Sequence, residues 1–143
     1  MDKQSLVLAI LSAGNGGEFS PVQVQKLFFL VDKNIPRYVG GPHFNFSPYD
    51  YGPFDKAVYG VLEKLGVAGF LETCEVPGRS WPTYRLTQSG QSEGQALLSR
   101  LPEKVITYIK DLVEFVRTLS FEELVSAIYR AYPEMKVNSV FRD

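Results

Sequence analysis

Apolar positions along this chain recur mostly at helical spacing, with one stretch of extended character in the middle. Leu6 and Ile10, with Val7 and Leu11 beside them, share a face and predict a first helix over about Lys3 to Ala13. Gly14-Asn15-Gly16-Gly17 ends it, because glycine takes up the left-handed exit that other residues resist. A second helix has a well-marked start. Ser20 caps, Pro21 suits the first helical position, Gln23 completes a capping box, and Phe19 and Val24 stand at the two positions of a hydrophobic staple. Val24, Leu27, Phe28 and Val31 form its apolar face, and Phe29 and Leu30 widen it, so burial on more than one side is expected. A third helix is expected to open at Gly52-Pro53, with Pro53 in the first turn and Asp55 near the positive end of the dipole. Its inner stripe is Val58, Leu62 and Leu65, with Phe54 or Val61 beside it, and Gly66 stops it.

The extended character follows. Leu71 to Val76 reads as a strand, Pro77 to Pro82 as a turn-rich tip, and Tyr84 to Leu86 as a returning strand. Thr87 then caps a fourth helix reaching about Arg100, on which Gly90 and Gly94 share a face and would let another backbone come close. Pro102 starts a fifth helix, with Val105, Ile109, Leu112 or Val113, and Val116 in register. Ser120 with Glu123 makes a second capping box, Leu119 with Leu124 a second staple, and Val125, Ile128 and Tyr132 continue the apolar side of a sixth helix that Pro133 helps end. The tail to Asp143 is expected to be irregular. Helix, strand, tip, strand, helix predicts a mainly α, α+β fold: a winged helix-turn-helix core over residues 1–100, its two-stranded wing running from about Gly69 to Leu86. Residues 101–143 would be a C-terminal helical extension packed on the same domain.

One segment resists this scheme. Ile35 to Gly52 carries Pro36, Gly40, Gly41, Pro42 and Pro48, which argue against a long regular element, yet it holds Tyr38, Phe44, Phe46, Tyr49 and Tyr51. The alternation of Phe44 and Phe46 suggests a short extended piece, and connections of this length usually have a job or pack on the core.

Composition narrows the function classes. The chain has 143 residues, 45% hydrophobic and 22% charged, which suits a single globular domain. Met1-Asp2-Lys3 is not a basic region followed by a long apolar block, and the longest apolar runs, Leu6 to Leu11 and Leu27 to Val31, are too short to span a bilayer. A cytoplasmic protein is therefore expected. The net charge of −1 lacks the basic excess that tight nucleic-acid binding usually leaves.

No catalytic constellation stands out, so no enzyme and no cofactor are expected. His43 is the single histidine and sits in a Pro/Gly-flanked loop, where a solvated or structural role is the default. Cys74, the single cysteine, cannot form an intramolecular disulfide and reads as a small hydrophobe on a strand. Gly14 to Gly17 lacks the Lys-Ser/Thr of a phosphate loop, and one His with one Cys matches no zinc spacing. Two kinds of recognition remain. For DNA, the third helix and the wing would offer Lys56, Tyr59, Lys64, Arg79 and Arg85, interleaved with Asp55, Glu63, Glu72 and Glu75. For protein, Tyr38, Phe44, Tyr49, Tyr51 and Trp81 are the candidate contacts, because exposed aromatics bury large area at low entropic cost. The competing reading is that Phe44 and its neighbour Phe46 fill the core beneath the loop. The last two helices could also pair with a second copy of the chain.

Particular residues carry a resemblance. Lys26-Leu27-Phe28-Phe29-Leu30 resembles the KLLYL-like signature of the Panacea-type (SocA-like) antitoxin domain. Tyr51-Gly52-Pro53-Phe54, followed by Tyr59 and Leu62, is similar to that family's YGP segment entering its next helix, and the similarity covers roughly Leu6 to Leu65. The Tyr84 to Gly90 pattern is shared by many winged helices. Leu124 to Tyr129, then Tyr132-Pro133-Glu134, resembles a branch of uncharacterised prokaryotic proteins related to the family. The resemblance implies a small cytosolic protein that neutralises a toxin or serves a defence locus by direct binding, and it carries over no catalytic residues.

Overall fold

A computed structural model describes residues 1–141. Among them the chain forms α1 (Lys3–Ser12), α2 (Pro21–Asn34), α3 (Pro36–Val39), β1 (Ser47–Tyr49), β2 (Gly52–Phe54), α4 (Ala57–Val67), β3 (Leu71–Cys74), β4 (Thr83–Leu86), α5 (Gln88–Leu98), α6 (Glu103–Thr118) and α7 (Phe121–Ala131), with a 3-10 turn over Pro133–Lys136. The fold is mixed α+β, with two separate antiparallel hairpins, β1–β2 and β3–β4. No helix among the described residues is long and apolar enough to cross a membrane.

The centre of the core is α1. Leu6 through Ser12 are all buried, so this helix is enclosed on every side rather than presenting the single face its spacing suggests. Its closest neighbour is α5. A Cβ on Gly94 would strike the Leu8 carbonyl oxygen and lie 2.6 Å from Ser12 Cβ, and one on Gly90 would strike the Phe70 carbonyl. The two glycines of α5 therefore do what their spacing predicts. Gln91 and Gln95 donate their Nε2 groups to Ser12 O at 2.7 and 2.9 Å, joining Asn15 N on this last carbonyl of α1 and tying α5 to its end.

The cap signals hold. Ser20 Oγ accepts from Gln23 N and Gln23 Oε1 accepts from Ser20 N; Ser120 and Glu123 repeat the arrangement at α7. Thr87 Oγ1 accepts from Gly90 N at 3.1 Å. The β3–β4 hairpin pairs Leu71 with Leu86 and Cys74 with Thr83, two residues shorter at β3 than expected. Phe19 extends it by exchanging both backbone bonds with Tyr84 at 2.8 Å. On α6, Val105, Ile109, Leu112, Val113 and Val116 are buried as their register requires, and Tyr132 beyond α7 closes edge-on over Phe29 at 4.9 Å.

Three expectations are corrected. The third long helix does not begin at Gly52-Pro53: those residues and Phe54 form β2, paired with Ser47 to Tyr49, and α4 starts at Ala57. The reason is the backbone at Gly52, whose φ of +102° no helix admits, together with the use of the Pro53 carbonyl by a side chain from α2. Phe54 thus leaves the inner stripe, which is Val58, Val61, Leu62 and Leu65. The helix also runs through Gly66 to Val67, and the left-handed exit comes at Gly69. The Ile35 to Gly52 connection, finally, contains α3 and β1; the extended piece is Ser47–Tyr49, not the Phe44–Phe46 stretch.

Candidate interaction surface

The β1–β2 hairpin is held from below by polar side chains of α2. Gln25 bonds both backbone groups of Asp55, Nε2 to Asp55 O at 3.0 Å and Oε1 from Asp55 N at 2.9 Å. Lys26 is 3% exposed and donates its Nζ to Pro53 O at 3.2 Å. Gly52 is tight here too, since an added Cβ would come within 3.3 Å of the Tyr129 ring and 3.6 Å of Lys26 Cε. Burial pushes the Lys26 amine down to about 8, because the charged form has lost its water. The preceding loop is pinned by carboxylates. Asp32 accepts from His43 N and Phe44 N at 2.9 and 2.8 Å, and Asp55 Oδ2 accepts from Asn45 N at 2.8 Å.

Above this base the hairpin presents its aromatic rings. Tyr49 is 54% exposed and stacks on Phe54 at 5.1 Å; Phe54 continues to Tyr59 and Tyr59 to Tyr84, at 5.9 and 6.3 Å. Tyr51 is 45% exposed and meets Phe121 of α7 edge-on at 5.1 Å. Phe121 in turn touches Phe141, which also lies against Tyr129. The segment after the 3-10 turn is strapped to the hairpin. Val140 N donates to Asp50 O at 3.0 Å, Ser139 Oγ to the same oxygen at 3.2 Å, and Asn138 Nδ2 to Pro48 O at 3.3 Å. Tyr129 donates to Ser139 Oγ at 2.6 Å. With Val137 and Val140 exposed alongside, hairpin, α7 and strap form one aromatic and aliphatic face.

The expected contact residues divide. Tyr49 and Tyr51 are both exposed on the β1–β2 hairpin, Tyr49 in the row through Phe54 and Tyr51 against Phe121. Trp81 is 50% exposed but lies on the other hairpin, at the β3–β4 tip, with Arg79 over its ring at 5.8 Å and bonded to its carbonyl. Tyr38 is half-buried on α3. Phe44 is half-buried against Phe28 at 6.1 Å and Phe46 at 5.8 Å, so it and Phe46 cover the core, as the competing reading held. The DNA candidates divide as well. Lys56, just before α4, and Lys64, in its last turn, are exposed. Tyr59 is half-buried in the aromatic row, and burial raises its phenol above the usual value. Arg85 pairs with Glu72 at 3.6 Å, and Arg79 is spent on Trp81 and on Thr83, whose hydroxyl also bonds Glu18.

His43 Nε2 lies 2.7 Å from Val39 O, a local loop contact. Cys74 is a free thiol at the end of β3. Among the described residues no group of three or more His, Cys, Asp or Glu is placed to hold a metal. Gln25, Lys26 and Asp32 are the residues that sequence reasoning passed over as anchors. For Gln25 and Lys26 the signal was there, polar side chains set into the Val24–Val31 run of a helix expected to be buried on several sides; Asp32 follows that run and carried none. No protein-family model matches the chain, and no curated protein matches its sequence.

Proposed function

We propose that this chain is a non-enzymatic, cytoplasmic protein-interaction module of antitoxin type, binding and neutralising a toxin or defence-system partner through its aromatic face. The observation that carries the reading is the exposure of Tyr49 and Tyr51 on a hairpin fixed from below by Gln25 and Lys26, with exposed Phe121 of α7 set against Tyr51. Rigidly mounted aromatics suit binding, since little side-chain freedom is left to lose on docking. Two further features support it. The segments that resemble the Panacea-type domain, Lys26 to Leu30 and Tyr51 to Phe54, touch each other through the Lys26–Pro53 bond. The order α4, β3, β4, α5 also accords with a winged helix carrying an added pair of C-terminal helices.

The test is binding to the product of an adjacent gene. Tyr51→Ala and Tyr49→Ala should each weaken binding by tenfold or more in calorimetry, with the helical circular dichroism unchanged. Unaltered affinity in both variants would remove this face as the site. The second reading is a winged-helix transcriptional regulator, favoured by two exposed lysines, Lys56 just before α4 and Lys64 in its last turn. Its affinity for promoter DNA would fall steeply with added salt, and absence of binding at low salt would end it.

A further inference from the structure

Away from the hairpins, two cations from different elements converge on one phenol. Arg37 and Tyr38 belong to α3, and Lys104 to the first turn of α6. The Arg37 guanidinium carbon lies 5.4 Å from the Tyr38 ring centroid and Lys104 Nζ lies 5.6 Å from it. Neither cation has a carboxylate of the described residues at ion-pair distance; Glu103, next in sequence to Lys104, pairs with neither. Both lie close to the Tyr38 hydroxyl and hold its pKa below the ordinary tyrosine value, Arg37 by hydrogen bonding first and Lys104 second. α6 begins at Pro102 without a side-chain cap, so its free N–H groups add to the positive field on this side.

Such an arrangement is electrostatically incomplete. A cation–π contact at the surface is weak, and two cations facing one ring repel each other over a distance that salt, with a screening length of about 10 Å at 0.1 M, removes only in part. An anion among them would offset the repulsion and find donors of three kinds. The guanidinium offers a planar fork that matches two oxygens, the ammonium a point charge, and the phenol a single O–H.

We infer that Arg37, Tyr38 and Lys104 form an oxyanion site at the junction of α3 and α6, whose occupant is a carboxylate side chain from an acidic protein segment. Free phosphate has the same chemistry and is the simplest probe. The site is independent of the aromatic face, and its test needs no knowledge of the partner of that face.

The experiment is a 15N-resolved NMR titration of the full chain at low ionic strength, once with hexaglutamate peptide and once with inorganic phosphate. Expected are saturable shifts at the amides of Arg37, Tyr38 and Lys104 and at the Arg37 side-chain N–H, with the peptide binding at least tenfold more tightly than phosphate. Arg37→Gln and Lys104→Gln should each weaken the peptide at least threefold, and Arg37→Lys should lie between wild type and Arg37→Gln. All are surface changes, and an otherwise unchanged spectrum establishes that each variant folds. No saturable shift with either probe would overturn the site, as would shifts that persist in the double Gln variant. Phosphate binding as tightly as the peptide would overturn the assignment to an acidic segment.

Discussion

Lys26 is the residue with the most to report. Its amine is buried, has one carbonyl to bond, and has no carboxylate of the described residues at ion-pair distance. Below about pH 8 it is charged in both the folded and the unfolded chain, and the folded chain carries the full penalty of burying that charge. Between about 8 and the ordinary 10.5 the folded amine is neutral while the unfolded chain still holds the proton, so folding stability rises with pH across that window. Urea denaturation at pH 7 and pH 10 should therefore show wild type gaining on Lys26→Met by up to about 3 kcal/mol, from the roughly 1.4 kcal/mol that each pKa unit represents. Parallel pH profiles would show that the amine is solvated. At pH 7 the two proteins should differ little, because the variant loses the charge penalty but leaves Pro53 O without its donor, a loss of about 1–3 kcal/mol. Lys26 was visible in the sequence as a cation inside an apolar run. Its role was not, because its partner is 27 residues away and helical spacing carries no information about that.

At the scale of elements, what the sequence made legible were the local signals. Both capping boxes, the Thr87 cap and the registers of α6 and α7 follow from residues three or four apart, where backbone geometry and neighbouring side chains decide the outcome. Ser20→Ala should lower stability by about 0.5–2 kcal/mol by freeing the Gln23 N–H, measured by chemical denaturation. Gly94→Ala should be worse, about 1–3 kcal/mol or a failure to fold, since its methyl group meets the backbone of α1 rather than a side chain that could turn away. The thermal midpoint would report it, and a neutral effect would mean that α5 can move off α1. The β1–β2 hairpin was illegible for the opposite reason. Gly-Pro is common both at helix starts and in tight extended turns, and what decides here is tertiary: the Gln25 and Lys26 bonds hold the backbone at Pro53 and Asp55 against α2. The all-round burial of α1 was equally hidden, because six apolar residues in succession show no preferred face.

For the whole molecule, the ordering of the chain brings its end back onto its middle. Residues 138–140 bond Pro48 and Asp50, and Phe141 rests on Phe121 and Tyr129. Deleting residues 137–143 should leave the α1–α5 core folded yet raise amide hydrogen exchange across residues 47–54, with the thermal midpoint falling by a few degrees. Unchanged protection of the hairpin would show that α2 alone suffices to hold it. Candidate contacts scattered in sequence sort themselves only at this scale: Tyr51 meets Phe121 from far along the chain, while Trp81 and Tyr38 stand apart. The strap also bears on how such a protein is handled at the bench. Phe141 packs on Phe121, the neighbour of Tyr51, so a purification handle attached through this end of the chain crowds the surface under study, and immobilisation through the opposite end is the sounder choice for any binding assay.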